Sequence, residues 1–301
     1  MAWERLAGPA LALVLSPLLL SVIVRVKARF AGRRGMPLLQ PYFDLAKLFR
    51  KGVVYSRTST AVFRLGPVVA LAATIGALAF VPMLGLPAVV AFPGDFVLAA
   101  YLLGLGRFFT VIAALDTGSA FEGMGASREV HFSALAEPAL FLALAALARS
   151  TNALSLSVIA DGLAATPFPA TALPIVLCSL TLFVVLLTEN ARIPIDDPTT
   201  HLELTMIHEV MVLDHSGPEL GLIEYQSGLK MWIFAGLIAS LAVPVRTGNA
   251  FVDAGIWLGA VAFLMVAVGT VESTLARLRL IHVPRLIVGA GVLSLTALVW
   301  S

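Results

Sequence analysis

Eight runs of mostly apolar residues mark the chain, at 6–24, 67–90, 96–115, 130–148, 172–188, 227–245, 254–271 and 284–300. A helix needs about 20 such residues to cross a bilayer. The pattern therefore predicts an all-α, polytopic membrane protein of about eight transmembrane helices, folded as a single integral membrane domain over 1–301. The second run is uncharged from Leu65 to Gly94 and contains Pro82 and Pro87, so one long helix with a bent end is expected. Residues 150–169 mix polar and apolar positions and include Asp161. They read as a re-entrant or surface piece, and counting them would change the number of spans by one.

Two long hydrophilic segments, 25–64 and 189–230, interrupt the pattern. In the first, Gln40, Asp44, Lys47 and Lys51 follow one another at helical spacing, while Leu39, Tyr42, Phe43, Ala46 and Phe49 cover the rest of the turn. Pro41 suits a first turn. An amphipathic helix along the membrane surface is expected. It is either simply interfacial or it shapes a cavity or docks a partner.

Composition agrees with the pattern. Hydrophobic types make up 59% of the 301 residues and charged types only 13%, against about a half and a quarter in soluble domains. The net charge of +2 gives no sign of nucleic-acid binding. The single cysteine, Cys178, lies in an apolar run, which rules out an intrachain disulfide or a cysteine-ligated cluster within this chain. Arg25, Lys27 and Arg29 follow the first run instead of preceding it, the reverse of a signal peptide, so a retained span is expected.

Charge also sets orientation. Arg25, Lys27, Arg29, Arg33, Arg34, Lys47, Arg50, Lys51, Arg57 and Arg64 fall in the first loop, and Arg128, Arg192, Lys230, Arg277, Arg279 and Arg285 in other loops of the same side. Only Arg5, Arg149 and Arg246 fall opposite. The positive-inside rule puts both long segments in the cytoplasm and both termini outside, as in an inner-membrane protein with an even number of spans.

Some charges lie in the spans themselves. Arg107 and Glu137 are mid-span, and Glu189 and Glu272 close two other runs. An ionised group at bilayer depth costs at least about 2.5–3.5 kcal/mol, so it pairs or lines a hydrated cavity. Arg107 and one of the glutamates are natural partners, either as a structural ion pair or as part of a polar axis for protons or ions. Burial raises a carboxylate's proton affinity and a nearby guanidinium lowers it, so a carboxylate between the two can exchange protons near neutral pH.

The second hydrophilic segment holds Glu189, Asp196, Asp197, Glu203, Glu209, Asp214, Glu219 and Glu224, with Arg192 as its only lysine or arginine before Lys230. Such a cluster breaks the basic pattern of its side and calls for a role beyond topology. Asp197-Pro198-Thr199-Thr200 reads as a turn into a helix, with a threonine as N-cap and Glu203 near its third position. His201, His208 and His215 recur every seven residues and would share a face, as metal ligands, partner contacts or polar-face residues. His208-Glu209 lacks the second histidine of a zinc-protease helix. Gly123-Met-Gly125 follows a span and lacks a third glycine, so it is not read as a dinucleotide loop. No phosphate loop, catalytic triad or internal repeat is present, and no catalytic residue is assigned.

Together these motifs resemble a known family. The stretch ENARIPIDDPTTHLELTMIHEVMVLDHSG (189–217), LDTGSAFEGMGASRE (115–129), ESTLARLR (272–279) and the G-x-P-x-x-Q-P-x-x-D-x-x-K form of 35–47 are similar to the subunit 1 family of respiratory complex I. The resemblance is to its hydrogenase branch, typified by formate hydrogenlyase subunit 4 and hydrogenase-4 component C. In the quinone-reducing branch the second loop reads E-T-N-R-x-P-x-D-x-x-E. Here Asn190 directly follows Glu189, so that spacing is kept only loosely.

The resemblance implies an eight-helix subunit beneath a peripheral arm of iron–sulfur proteins. In this branch the arm includes the large and small subunits of a [NiFe] hydrogenase. The membrane subunit would bind no cofactor of its own, the [NiFe] centre and iron–sulfur clusters residing in partners. It would anchor the arm within membrane lipid and join it to antiporter-like subunits, coupling electron transfer to proton or sodium movement. The ion-path candidates are Arg107, Glu122, Glu129, Glu137, Glu189, Arg192, Asp196, Asp197, Glu203, Glu209, Glu224 and Glu272. Gln40, Asp44 and Lys47 would lie near a partner-facing or quinone-like cavity. A quinone-reducing complex I-like subunit, an independent ion transporter and a passive anchor stand as alternatives.

Overall fold

The structure is a computed structural model that describes residues 2–166, 168–196 and 206–301. Among the described residues it is helical throughout: α1 (Ala2–Phe30), α2 (Gln40–Phe49), α3 (Ala61–Leu78), α4 (Asp95–Asp116), α5 (Ala120–Thr151), α6 (Leu156–Ala165), α7 (Phe168–Glu189), α8 (His208–Met211), α9 (Gly217–Ala242), α10 (Ala250–Thr274) and α11 (Val283–Trp300), the last preceded by a short 3-10 turn.

Among the described residues, seven helices are long and apolar enough to cross a membrane: α1, α3, α4, α5, α7 and α10, and the 280–300 unit that ends in α11. Each overlaps a run read from the sequence. The eighth run, 227–245, belongs to α9. This helix is about 39 Å long at 1.5 Å per residue, but Glu219, Glu224, Gln226 and Lys230 leave it without a membrane-length stretch as apolar as those of the other seven. It packs against α1, α2, α3, α7 and α10, so most of its last fourteen residues are buried in protein.

One sequence expectation shifts and another gains detail. The run 67–90 is not one helix: α3 begins at Ala61 and ends at Leu78. Past its end the chain turns through Leu84 and Gly85 at φ of 57° and 77°, between the two prolines, neither of which has an amide to continue a helix. The amide of Ala88 donates to Ser157 Oγ at 2.8 Å, which seats this turn against α6. The 150–169 piece is largely α6, a ten-residue apolar helix. The buried Asp95 carboxylate accepts from Leu156 N at 2.9 Å and Ser155 Oγ at 2.5 Å, capping its start.

Contacts fix which ends lie together. Gly8 of α1 abuts Met83, and Arg149 at the end of α5 donates to Leu298 O at 3.3 Å. Both chain termini are thus at the end of the bundle that carries the 79–94 turn. Glu189, Glu272, Lys27 and Arg192 gather at the other end, where both hydrophilic segments emerge. Helix α9 runs from that end to the first, as an eighth crossing requires.

Candidate functional site

Four helices meet on one row of charge. Arg107 of α4 reaches Glu137 Oε1 of α5 with Nη2 at 2.6 Å and Glu189 Oε1 of α7 with Nη1 at 2.8 Å. The other oxygen of Glu189 takes Lys230 Nζ of α9 at 3.2 Å. Arg107 therefore pairs with two glutamates, not one. Arg107, Glu189 and Lys230 are largely shielded, while the Glu137 side chain remains 46% exposed. Placed singly in the bilayer each group would be costly; in the row every charge has an opposite neighbour within hydrogen-bond range.

A cavity of about 30 Å³ adjoins the row, lined in part by Arg107, Glu129, Glu189, Asn190, His208 and Lys230. This is room for one or two waters. A smaller one of about 10 Å³ lies on the far side of Glu129 and Glu189. Glu129, buried on α5, is within electrostatic reach of Lys230, Glu189, Arg107 and Asp196, yet makes no ion pair with a described residue. His208 borders the same cavity from α8. Burial beside Lys230 and Arg192 pushes its imidazole down to about 4, so it is neutral at pH 7.

Beyond the row, at the end where the hydrophilic segments emerge, two more clusters tie the loops down. Glu272 of α10 takes Lys27 of α1 at 2.9 Å and Arg192 at 3.5 Å. Asp196 takes Arg277 at 2.9 Å with one oxygen. With the other it accepts the amides of Ile207 and His208 at 3.0 and 3.2 Å, joining the two sides of the 197–205 stretch. The first hydrophilic segment is held separately. Tyr55 donates to Glu219 at 2.6 Å, and Glu219 also contacts His215 at 3.2 Å. Phe63 stacks on the His215 ring at 3.9 Å. The Glu219 carboxylate raises the Tyr55 hydroxyl above its ordinary pKa, and burial lowers that of His215.

The sequence model of the family described as NADH dehydrogenase matches residues 6–301. The chain belongs to this family, that of complex I subunit 1. Hydrogenase-4 component C of Escherichia coli K12 is 33% identical over 288 residues, covering 92% of this chain and 89% of that one. Formate hydrogenlyase subunit 4 of the same strain is 32% identical, covering 89% and 88%. A solved chain of the membrane-bound sulfane sulfur reductase, an archaeal respiratory membrane complex, shares the fold with a TM-score of 0.85. At 21% identity, that likeness covers 99% of this chain and 98% of the other.

In this complex I subunit 1 family member, Arg107, Glu129, Glu137 and Glu189 come together, and Arg192, Asp196 and Glu272 follow them. Three other ion-path candidates do not join the row. Glu122 lies near the start of α5 and accepts the amide of Asp214 at 3.2 Å. Glu209 is half-buried on α8. Glu224 faces a cavity of about 240 Å³ between α1, α2 and α9. Asp197, Glu203, the threonine cap and His201 lie outside the described residues.

Of the three cavity candidates only Asp44 lines that cavity, with Pro17, Leu20 and Glu224 among its neighbours. Gln40 donates to Asp44 at 2.9 Å, and Lys47 opens onto the outside of α2. Of the heptad-spaced histidines, the described His208 and His215 do not share a helix face, because α8 stops at Met211 and the chain turns before α9. Among the described residues no group of His, Cys, Asp or Glu is placed to hold a metal. Gly125 serves packing: a Cβ there would collide with Val210 and approach Ile207 O to 2.8 Å. The residue that sequence reasoning misses is Lys230. The loop pattern assigns it to a loop edge, although it lies inside the apolar run 227–245, where a lone lysine calls for a buried partner.

Proposed function

We propose that this chain is the membrane-anchoring and ion-coupling subunit of a group 4 energy-converting [NiFe] hydrogenase complex of the formate hydrogenlyase type. The similarity to hydrogenase-4 component C along nearly the full length of both chains carries this reading. The row Glu137–Arg107–Glu189–Lys230 supports the coupling role. In it the two cations face two acids, and Glu129 beside them is a further carboxylate without a cation of its own. Glu129 takes up and releases the proton, or as a carboxylate balances the charge of a passing sodium ion, and the row responds electrostatically. The [NiFe] centre and iron–sulfur clusters belong to partner subunits: the hydrogenase large and small subunits and an iron–sulfur protein. Antiporter-like subunits abut the bundle within the inner membrane. Both hydrophilic segments face the cytoplasm and both termini the outside.

The cavity between α1, α2 and α9 favours a second reading, a quinone-reducing complex I-like subunit, although its carboxylates Asp44 and Glu224 suit an apolar quinone poorly. One purification separates the two. A complex isolated through a tag on this chain is expected to contain a large subunit with two CxxC motifs. A set of NADH-oxidising subunits in its place sinks the first reading. In the hydrogenase complex, Glu129→Gln is expected to leave hydrogen chemistry with a soluble electron donor or acceptor intact and abolish ion translocation.

A further inference from the structure

Helix α2 does not lie flat beyond the end of α1. The chain doubles back after Phe30. Arg25 Nε donates to Met36 O at 2.9 Å and Ser21 Oγ to Leu38 O at 2.7 Å, and the Tyr42 hydroxyl then donates to Val14 O. From there α2 climbs along the first turns of α9. Glu224 and Asp44 share a cavity wall, Leu48 and Phe49 cover Gly221, and the Gly52 carbonyl meets Gly217. The Tyr225 hydroxyl of α9 donates to the neighbouring Leu13 O at 2.6 Å; because Gly217 and Tyr225 are about 12 Å apart along α9, α2 starts deep and ends at the level where α9 enters the bundle.

Its two sides differ. Pro41, Leu45 and Leu48 turn toward α1 and α9 and line the inner cavity. The stripe facing away runs Leu39, Phe43, Lys47, Arg50, at helical spacing. Leu39 and Phe43 are 54% and 63% exposed. Phe43, Ala46, Lys47, Arg50 and Lys51 border an open recess of about 620 Å³. None of these three cations makes an ion pair with a described residue. The nearest acid in sequence, Asp44, bonds Gln40 and borders the inner cavity.

We infer that this outward stripe is a binding site for an anionic phospholipid. The acyl chains lie against Leu39 and Phe43, and the phosphate sits among Lys47, Arg50 and Lys51. The stripe is apolar at its deep end and cationic at its shallow end, which is the polarity of a phospholipid in the cytoplasmic leaflet. A soluble acidic protein would meet the cations but not the apolar residues below them. Each cation near the surface raises affinity for an anionic headgroup by about fivefold, so the site selects by headgroup charge.

Native mass spectrometry of the intact complex tests this, with equimolar dioleoyl phosphatidylglycerol and dioleoyl phosphatidylcholine in the detergent. The wild type is expected to retain the glycerol lipid over the choline lipid by at least about tenfold. The triple variant K47Q/R50Q/K51Q is expected to fall to near parity, and K47R/K51R to keep the preference. Phe43→Ser should weaken retention of both lipids while preserving their ratio. Equal retention by the wild type, or an unchanged preference in the triple variant, overturns the proposal. So does displacement by millimolar inorganic phosphate, which would assign the cations to a free anion. Loss of a protein subunit from the triple variant with lipid preference intact would assign them to a protein and overturn it as well.

Discussion

Glu189 holds two cations, one on each carboxylate oxygen, and that sharing makes it the least replaceable residue of the row. Glu189→Leu leaves both Arg107 and Lys230 short of a counter-charge in a shielded place. A destabilisation of about 3–5 kcal/mol is expected, read as a lower unfolding temperature of the purified protein in detergent. His208 gives a pH-dependent counterpart. Its folded-state pKa, about 4, lies below the ordinary 6.5, so between those values the unfolded chain binds a proton that the folded chain does not. This contribution to stability is complete above pH 6.5 and is lost as pH falls toward 4, by up to about 3 kcal/mol. His208→Asn should flatten the drop in unfolding temperature between pH 7 and pH 4.5. At this scale the sequence was informative where a charge interrupts an apolar run, as at Arg107 and Glu137. It was silent on pairing, because the partners of Arg107 come from α5 and α7, 30 and 82 residues away.

The helices are defined by their ends, and the ends are where the hydrophobic pattern says least. Helix α3 starts at Ala61 because Thr60 caps it, its hydroxyl accepting from Val62 N at 3.2 Å. Asp116, at the end of α4, then secures that cap, accepting from Thr60 N at 2.6 Å, Thr60 Oγ1 at 2.9 Å and Phe63 N at 3.3 Å. Asp116→Ala is expected to cost about 0.5–2 kcal/mol and to expose the 51–60 stretch to limited proteolysis. No periodicity in 51–64 reveals a cap whose third partner comes from another helix. The same holds for α9. Its first two turns are polar because they pack on α2 and bond Tyr55, so the apolar run began ten residues late. The amphipathic stripe of α2 was legible, since spacing alone sets it; its slope along α9 was not, since that depends on the return path beside α1.

For the whole molecule the span pattern and the charge asymmetry carried most of the architecture. Eight crossings, both termini together and both hydrophilic segments at the opposite end follow from where apolar runs and basic residues fall. A labelling experiment gives that arrangement a direction. With the buried Cys178 replaced by alanine, single cysteines at Asn249 and Arg33 should respond oppositely in intact cells. A membrane-impermeant thiol reagent is expected to label the first and spare the second; the reverse would invert the molecule. The bundle's interior row was beyond reach of the pattern, because it is assembled from α4, α5, α7 and α9 and exists only once these are packed.

That Lys230 sits in a long helix less apolar over a membrane's thickness than the seven other crossings has a consequence for how the chain is made. The seven other crossings are apolar enough to leave the translocation channel for lipid on their own, but α9 is not. It needs the carboxylate of Glu189 already in the bilayer, so α7 must be inserted first and kept close while α9 is synthesised. Without that carboxylate α9 would stay behind, and α10 and α11 would thread in the opposite sense. A reporter fused after Ser301 should then change sides in a fraction of the Glu189→Leu chains, the correctly threaded remainder being the species whose unfolding temperature falls. The ion pair would be setting the topology of the last two helices while the chain is still being made.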